Sequence, residues 1–209
     1  MGISIQRYMT GPIGVNTYLV FDETKEGFIV DPGGESQELL EQVKEKQLHI
    51  GYILLTHGHG DHIGWIEDLR KIFPGIQVVA NENEKALLEN PRFNDSPSIN
   101  GYPISVKADR FVADEETMKI GNMKIRFLYT PGHTPGGQSI VVGHYVFSGD
   151  TLFQLSVGRT DFPGGNYAAL IQSIKEKLFK LPEDTVVLPG HMDITTIEVE
   201  KEHNPFVNE

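Results

Sequence analysis

The sequence contains no cysteine. Disulfides, thiolate metal ligands and cysteine nucleophiles are therefore excluded, and any metal must be held by imidazole nitrogen and carboxylate oxygen. A Gly-x-Ser-x-Gly turn is also missing, which excludes the serine elbow of α/β hydrolases. Basic residues are scarce: Lys and Arg number 18 against 29 Asp and Glu, a net charge of −11. That balance argues against nucleic acid as a partner and suits an enzyme of small molecules. No apolar run approaches the ~20 residues of a membrane helix. The opening MGISIQRYMTGPIG has no basic segment followed by an apolar one, and it lacks the Ser or Thr of a myristoylation site. The expected setting is cytoplasmic, without a membrane partner.

What is present reads as a globular chain. Its 209 residues are 39% hydrophobic and 22% charged, enough for a sizeable core in one domain spanning 1–209. The stretch NTYLVFDETKEGFIVDPGG predicts two strands joined by a polar turn around Lys25 to Gly27. SQELLEQVKEKQ predicts a helix with Leu39, Leu40 and Val43 on one side and Ser36 as N-cap. YILLT has the pattern of a strand buried on both faces. IGWIEDLRKIF predicts one helix, stopped by Pro74 and Gly75, followed by strand IQVVA and a short helix NEKALLEN. Residues 90–109 carry Pro91, Pro97, Gly101 and Pro103 without a period, and are expected to form a covering loop or a connector. Strands MKIRFLYT, QSIVVG and HYVFSG, helix YAALIQSIKEKLFKL and strand TVVLPG follow. TTIEVEKEHNPFVNE reads as a polar tail.

The chemistry gathers in THGHGDH, directly after the YILLT strand. His57 and His59 stand two apart, so in an extended segment they point the same way and can chelate one ion. Asp61 and His62 lie at the expected start of the next helix, diverge from that pair and can serve a second ion. Each of three other apolar strands also ends in Gly or Pro and then a potential ligand: His133 in YTPGHTPGG, Asp150 in VFSGDTLF, His191 in VVLPGHMD. Such strand ends converge at one sheet edge, where ligands commonly bind. His133 can complete the first set and His191 the second, and the two oxygens of Asp150 can bridge both. An all-N/O set of this kind suits Zn, Mn or Fe. Singly, each of these residues reads as a loop or capping residue; their co-occurrence carries the inference. His49, His144 and His203 have no such setting and are expected at the surface or in packing.

In order, THGHGDH, GHTPGG, SGDTLF and LPGH resemble the metal motifs of the metallo-β-lactamase superfamily. NTYLVFDETKEGFIVDPGG, GRTDFPGGN and the closing NPF add a likeness to its glyoxalase II-like hydrolases. The resemblance implies an α+β fold, a four-layer αββα sandwich with two pseudo-symmetric halves. It implies one divalent metal, most simply zinc with iron or manganese as alternatives, on His57, His59 and His133. A second sits on Asp61, His62 and His191, with Asp150 bridging. The expected activity is hydrolysis of an acyl thioester of the hydroxyacylglutathione type by a metal-bridging hydroxide, which Asp61 helps to orient as a catalytic residue. The helical C-terminal domain that supplies much of the glutathione site in glyoxalase II is not expected, since 18 residues follow His191. Met192-Asp193 also replaces the family's frequent Gly-Pro.

The alternative is a mononuclear iron oxygenase similar to persulfide dioxygenases, with His57, His133 and Asp150 as a facial triad. Arg159 and Asp161 are expected to pair within their loop, and Phe93 and Tyr102 either to line a substrate entry or to pack. The sequence leaves the acyl group, the thiol carrier and the oligomeric state open.

Overall fold

A computed structural model of the chain describes residues 2–207. The first sheet runs in chain order: β1 (Ser4–Thr10), β2 (Val15–Phe21), β3 (Glu26–Val30), β4 (His49–Leu54), β5 (Gln77–Asn81) and β6 (Arg110–Val112). Its first three strands are antiparallel, and β3 to β6 are parallel. The parallel crossovers hold α1 (Gln37–Lys46), then α2 (Gly60–Ile63) and α3 (Ile66–Ile72), then α4 (Lys85–Glu89) and α5 (Ser96–Ile99). The second sheet contains β7 (Thr117–Ile120), β8 (Met123–Tyr129), β9 (Gln138–Val142) and β10 (Tyr145–Gly149). A ribbon of β11 (Leu152–Phe153) and β12 (Ser156–Val157) and helix α6 (Tyr167–Glu176) lead to β13 (Val186–Pro189), which lies parallel to β10. β14 (Thr195–Thr196) pairs with β13, and α7 (Ile197–His203) follows.

Strand alternation builds the layers. In β2, Tyr18 and Val20 face the second sheet, while Leu19 and Phe21 face the helices. β3 sorts Phe28 and Val30 inward and Ile29 outward. β4 does the same with Leu54 and Ile53, so these strands are buried on both faces. Ile50 packs on the same outer side as Ile53, against strict alternation, because a bulge opposite Gly27 and Phe28 shifts the register. Phe127, Ile140 and Phe147 of the second sheet close the middle of the sandwich, and Tyr18 meets Phe147 edge-on at 5.2 Å. Burying each such side chain contributes about 1.5–3 kcal/mol. α1 and α3 cover one outer face, α6 and α7 the other, completing the αββα sandwich.

The two halves repeat one unit. Hairpin β2–β3, helix α1 and parallel strand β4 correspond to hairpin β9–β10, helix α6 and parallel strand β13. Ser36 caps α1 as expected, accepting from the Leu39 N–H, and in the structure Asn166 caps α6 in the same way, accepting from that of Ala169.

Several expectations need correction. The first turn sits earlier than Lys25 to Gly27, because Glu26 and Gly27 already pair in β3. The single helix expected from Ile63 to Phe73 is two: α2 ends at Ile63 and α3 begins at Ile66. At Gly64 the Gly33 carbonyl packs so closely that a Cβ would lie 2.2 Å from it, and the Trp65 N–H bonds the Pro32 carbonyl at 3.0 Å. The 90–109 segment, expected as a covering loop or a connector, contains one short helix, α5, which packs on α2. The polar tail is folded, with Ile197, Glu200, Asn204 and Val207 buried. Its last two residues lie outside those described.

Candidate metal centre

The ends of β3, β4, β8, β10 and β13 meet at one edge of the sandwich. The loop after β4 brings His57 and His59, and α2 follows with Asp61 and His62. His133 follows β8, Asp150 follows β10 and His191 follows β13. One nitrogen from each of His57, His59 and His133 lies within 4.8 Å of the others, and the same holds for atoms of Asp61, His62 and His191. The sets adjoin, with the His57 and His62 ring centres 4.0 Å apart. Asp150 reaches both: Oδ1 is 3.4 Å from His62 Nε2, and Oδ2 is 3.6 Å from His133 Nε2 and 3.8 Å from His191 Nε2. All seven candidate ligands, His57, His59, Asp61, His62, His133, Asp150 and His191, are thus brought together. His49 and His144 are exposed and far out on the surface, paired with Glu26 and Asp184.

Partners on the far side of the rings decide which nitrogens face inward. His133 Nδ1 donates to the Arg159 carbonyl at 2.6 Å, which leaves Nε2 as a lone pair aimed at the cluster. His62 Nδ1 donates to Asp31 Oδ2 at 2.9 Å. Thr56 gives its hydroxyl proton to Asp31, so its oxygen accepts from His57 Nδ1 at 3.1 Å. What remains inside is unsatisfied. His57 Nε2, His62 Nε2 and Asp150 Oδ1 are buried and have no hydrogen-bond partner, and His59 turns Nδ1 toward the set, 2.9 Å from His133 Nε2. Orphaned buried donor atoms are costly, and an imidazole and carboxylate set of this kind fits divalent cations.

Asp31, which the sequence reading passed over, is the centre of this support. It stands after β3 as Asp150 stands after β10, at the matching place in the repeat. Its oxygens accept from the Thr56 N–H at 2.8 Å, the Thr56 hydroxyl and His62 Nδ1. The signal was available: VDPGG is a further apolar strand ending in an acid followed by Pro and Gly.

Electrostatics separate the two sets. Burial holds His57 well below the usual imidazole range, and the neighbouring histidines push it further. Burial and His133 lower His59 to about 3, and burial also lowers His133 against the pull of Asp150. His62 behaves oppositely. Burial alone would lower it, but Asp61, Asp150 and Asp31 together raise it well above the ordinary value. Burial would raise the carboxyls of Asp61 and Asp150, yet the His62 charge holds both below their usual range.

Two glycines before candidate ligands are required by close approach. A Cβ on Gly149, whose φ is +51°, would lie 2.2 Å from Thr56 Oγ1. One on Gly190 would lie 2.3 Å from Asp150 Oδ1.

A cavity of about 400 Å³ opens onto the cluster, walled by Ile13, Ile99, Phe153, Val157, Phe162 and Met192. Phe93 and Tyr102 are exposed and do not line it; Ile99 of α5 does. Arg159 grips Asp161 through two bonds of 2.9 and 2.7 Å and lies over the Phe162 ring at 4.4 Å. The closing Asn-Pro-Phe also has a role here. Asn204 donates to the Ser156 carbonyl at 3.1 Å and to Glu200 at 2.7 Å, and Glu200 accepts from the Leu155 N–H at 3.0 Å. These bonds fasten the β11–β12 ribbon, whose Phe153 and Val157 form part of the wall.

Comparison with known proteins agrees with this geometry. The family model of the metallo-β-lactamase superfamily matches residues 10–191. The chain is 41% identical over 206 residues to the probable metallo-hydrolase YqgX of Bacillus subtilis, covering 97% of each. It is 39% identical over 202 residues to the hydroxyacylglutathione hydrolase GloC of Haemophilus influenzae, covering 92% of each. Among solved structures, the BLEG-1 B3 metallo-β-lactamase superposes with a TM-score of 0.92 at 40% identity, covering 99% of this chain and 100% of that one. ETHE1 from Myxococcus xanthus gives 0.81 at 31%, covering 97% and 83%. TTHA1623 in a di-iron-bound form gives 0.82 at 33%, covering 96% and 99%. The chain belongs to the metallo-β-lactamase superfamily, and its fold and its His/Asp groups are those of a metal-dependent hydrolase of that superfamily. Among the described residues no helix is long and apolar enough to cross a membrane.

Proposed function

We propose that the protein hydrolyses small acyl thioesters, of the hydroxyacylglutathione type, at a binuclear centre. His57, His59 and His133 would hold one divalent cation and Asp61, His62 and His191 the other, with Asp150 in reach of both sets. Zinc suits the donor set best. The observation that carries the reading is the row of buried, unpartnered ligand atoms on His57, His62 and Asp150, beside His59 Nδ1 and His133 Nε2 facing each other at 2.9 Å. The likeness to GloC supports the thioester, and the di-iron form of TTHA1623 supports two metals.

Bound there, divalent cations supply Lewis acidity toward an acyl carbonyl and a water acidic enough to attack near neutral pH, with a pKa of about 7 on zinc. The chain's residues arrange that chemistry. Asp61 Oδ2, 3.0 Å from His191 Nε2, sits at the floor of the cavity and orients the attacking water. The Arg159 carbonyl and Asp31 keep His133 and His62 in the tautomers that present Nε2 inward. The apolar wall excludes bulk water from the reacting carbonyl. No side chain is needed as a nucleophile.

The test is a panel of thioesters with different thiol moieties, run on enzyme of known metal content. Thioester hydrolysis rising with metal toward about two ions per chain is expected, and His59→Ala should lower metal content and hydrolysis together. The second reading, an iron oxygenase resembling persulfide dioxygenases, draws some weight from the ETHE1 likeness. It requires about one iron per chain and O₂ uptake with a persulfide, and that result would replace the thioesterase reading. The completeness of the Asp61, His62 and His191 set favours hydrolysis.

A further inference from the structure

Glu84 is a buried acid that takes no part in either candidate metal set. It lies between β5 and α4, 1% exposed, in a stretch whose sequence reads only as the start of a short helix. Burial pushes its carboxyl up to about 7, against the pull of its donors. Those donors come from two distant loops. Oε1 accepts from the Gly58 N–H at 2.9 Å. Oε2 accepts from the Gly136 N–H at 2.7 Å and the Thr134 hydroxyl at 3.0 Å. Gly58 is the residue between His57 and His59, and Thr134 is the residue after His133. The packing is as close as the bonding: a Cβ on Gly136 would lie 2.5 Å from Glu84 Oε2, and one on Gly58 would lie 2.7 Å from Leu88 of α4.

We propose that Glu84 is a positioning residue for the His57, His59 and His133 set, fastening the loop after β4 to the loop after β8 so that three imidazoles from two sheets hold one spacing. The inference rests on reading those histidines as a metal-binding set. Gln138 already ties the strand ends themselves, donating from its side chain to the Leu55 carbonyl at 2.8 Å and from its N–H to the Thr56 carbonyl at 2.9 Å. Glu84 acts beyond that point, on the loops that carry the rings. Its bonds fall between His57 and His59 and beside His133, none of them on Asp61, His62 or His191, whereas Asp31 bonds His62 directly and reaches His57 only through Thr56. Glu84 thus bonds only segments that carry the first set's rings, and that support has to be acidic. Every partner of Glu84 is a donor, and a carboxylate accepts at both oxygens. A glutamine in its place must turn its NH₂ against the Gly58 N–H or against that of Gly136, so one loop is released whichever way the amide lies.

The test compares the wild type with Glu84→Gln and with Thr134→Val, which removes only the hydroxyl bond. Each is stripped of metal, refilled with Zn²⁺ against a chromophoric chelator, and scanned with Co²⁺ for its ligand-field spectrum. Circular dichroism checks the fold. Glu84→Gln should weaken one of two affinities by about 10- to 100-fold, the usual effect of losing an outer support, and leave the other unchanged. Thr134→Val should act in the same direction, more weakly. In a His191→Ala background the remaining affinity should still fall on adding Glu84→Gln; in a His133→Ala background it should not. Two unchanged affinities, or two that fall equally, would overturn the proposal. If Glu84→Gln does not fold, Thr134→Val decides alone: a selective loss supports the proposal and no loss overturns it. A wild type that binds no metal would instead defeat the binuclear reading.

Discussion

His133 Nδ1 donates to the backbone carbonyl of Arg159 across 2.6 Å, so the contribution of Arg159 to the cluster is made by its main chain. Its guanidinium points away, to Asp161 and over Phe162. Arg159→Ala should therefore leave metal stoichiometry unchanged, while His133→Ala loses one ion. Elemental analysis of the two purified variants checks this.

Asp31 should matter although it does not line the cavity. Asp31→Asn keeps the shape but puts an NH₂ where a carboxylate accepted from Thr56 or His62. His62 then loses the partner that fixes its tautomer, and affinity at the Asp61, His62 and His191 set should fall about 10- to 100-fold. Chelator competition on the variant measures it. Unchanged affinity would show that His62 is oriented by packing alone.

The pKa shifts predict unequal proton release when the apoprotein takes up metal. In the first set burial favours the neutral imidazoles, His59 down to about 3, so an ion there displaces fewer protons than one in the second set. His62, raised by Asp61, Asp150 and Asp31 against its burial, is protonated at neutral pH and must lose its proton as the second set fills. About one proton should be released for that ion, and its apparent affinity should fall roughly tenfold per pH unit below the His62 pKa. Calorimetric titration in two buffers of different ionisation enthalpy reads both quantities.

The C-terminal anchor is testable through stability. Glu200→Ala strands the Leu155 N–H, the Thr195 hydroxyl and the Asn204 amide near a buried carboxylate site. Leaving such groups unsatisfied costs about 1–3 kcal/mol each at most, so urea denaturation should show a clear drop in midpoint. Because the β11–β12 ribbon forms cavity wall, KM should rise more than kcat falls.

Local sequence carried much of this architecture, and its limits have physical causes. His57, His59, Asp61 and His62 were legible because they are contiguous. His133, Asp150 and His191 were legible because each follows an apolar strand and a Gly or Pro. Strands with strong apolar runs stood out, whereas β6 and β7, short and half-exposed, did not. At the break the Trp65 N–H bonds the Pro32 carbonyl, a partner that no periodicity within residues 60–73 can register. The tail looked polar because Glu200 and Asn204 are buried through hydrogen bonds rather than apolar contact. Glu84 was hidden for the same reason: its donors arrive from 26 and 52 positions away.

The most direct measurement is anomalous diffraction from crystals grown with saturating metal, recorded at that metal's absorption edge. Two peaks are predicted, one about 2.0–2.2 Å from nitrogens of His57, His59 and His133, the other at like distance from Asp61, His62 and His191, with Asp150 in contact with both. A single peak bound only by His57, His133 and Asp150, or no peak at this edge of the sandwich, would contradict the account.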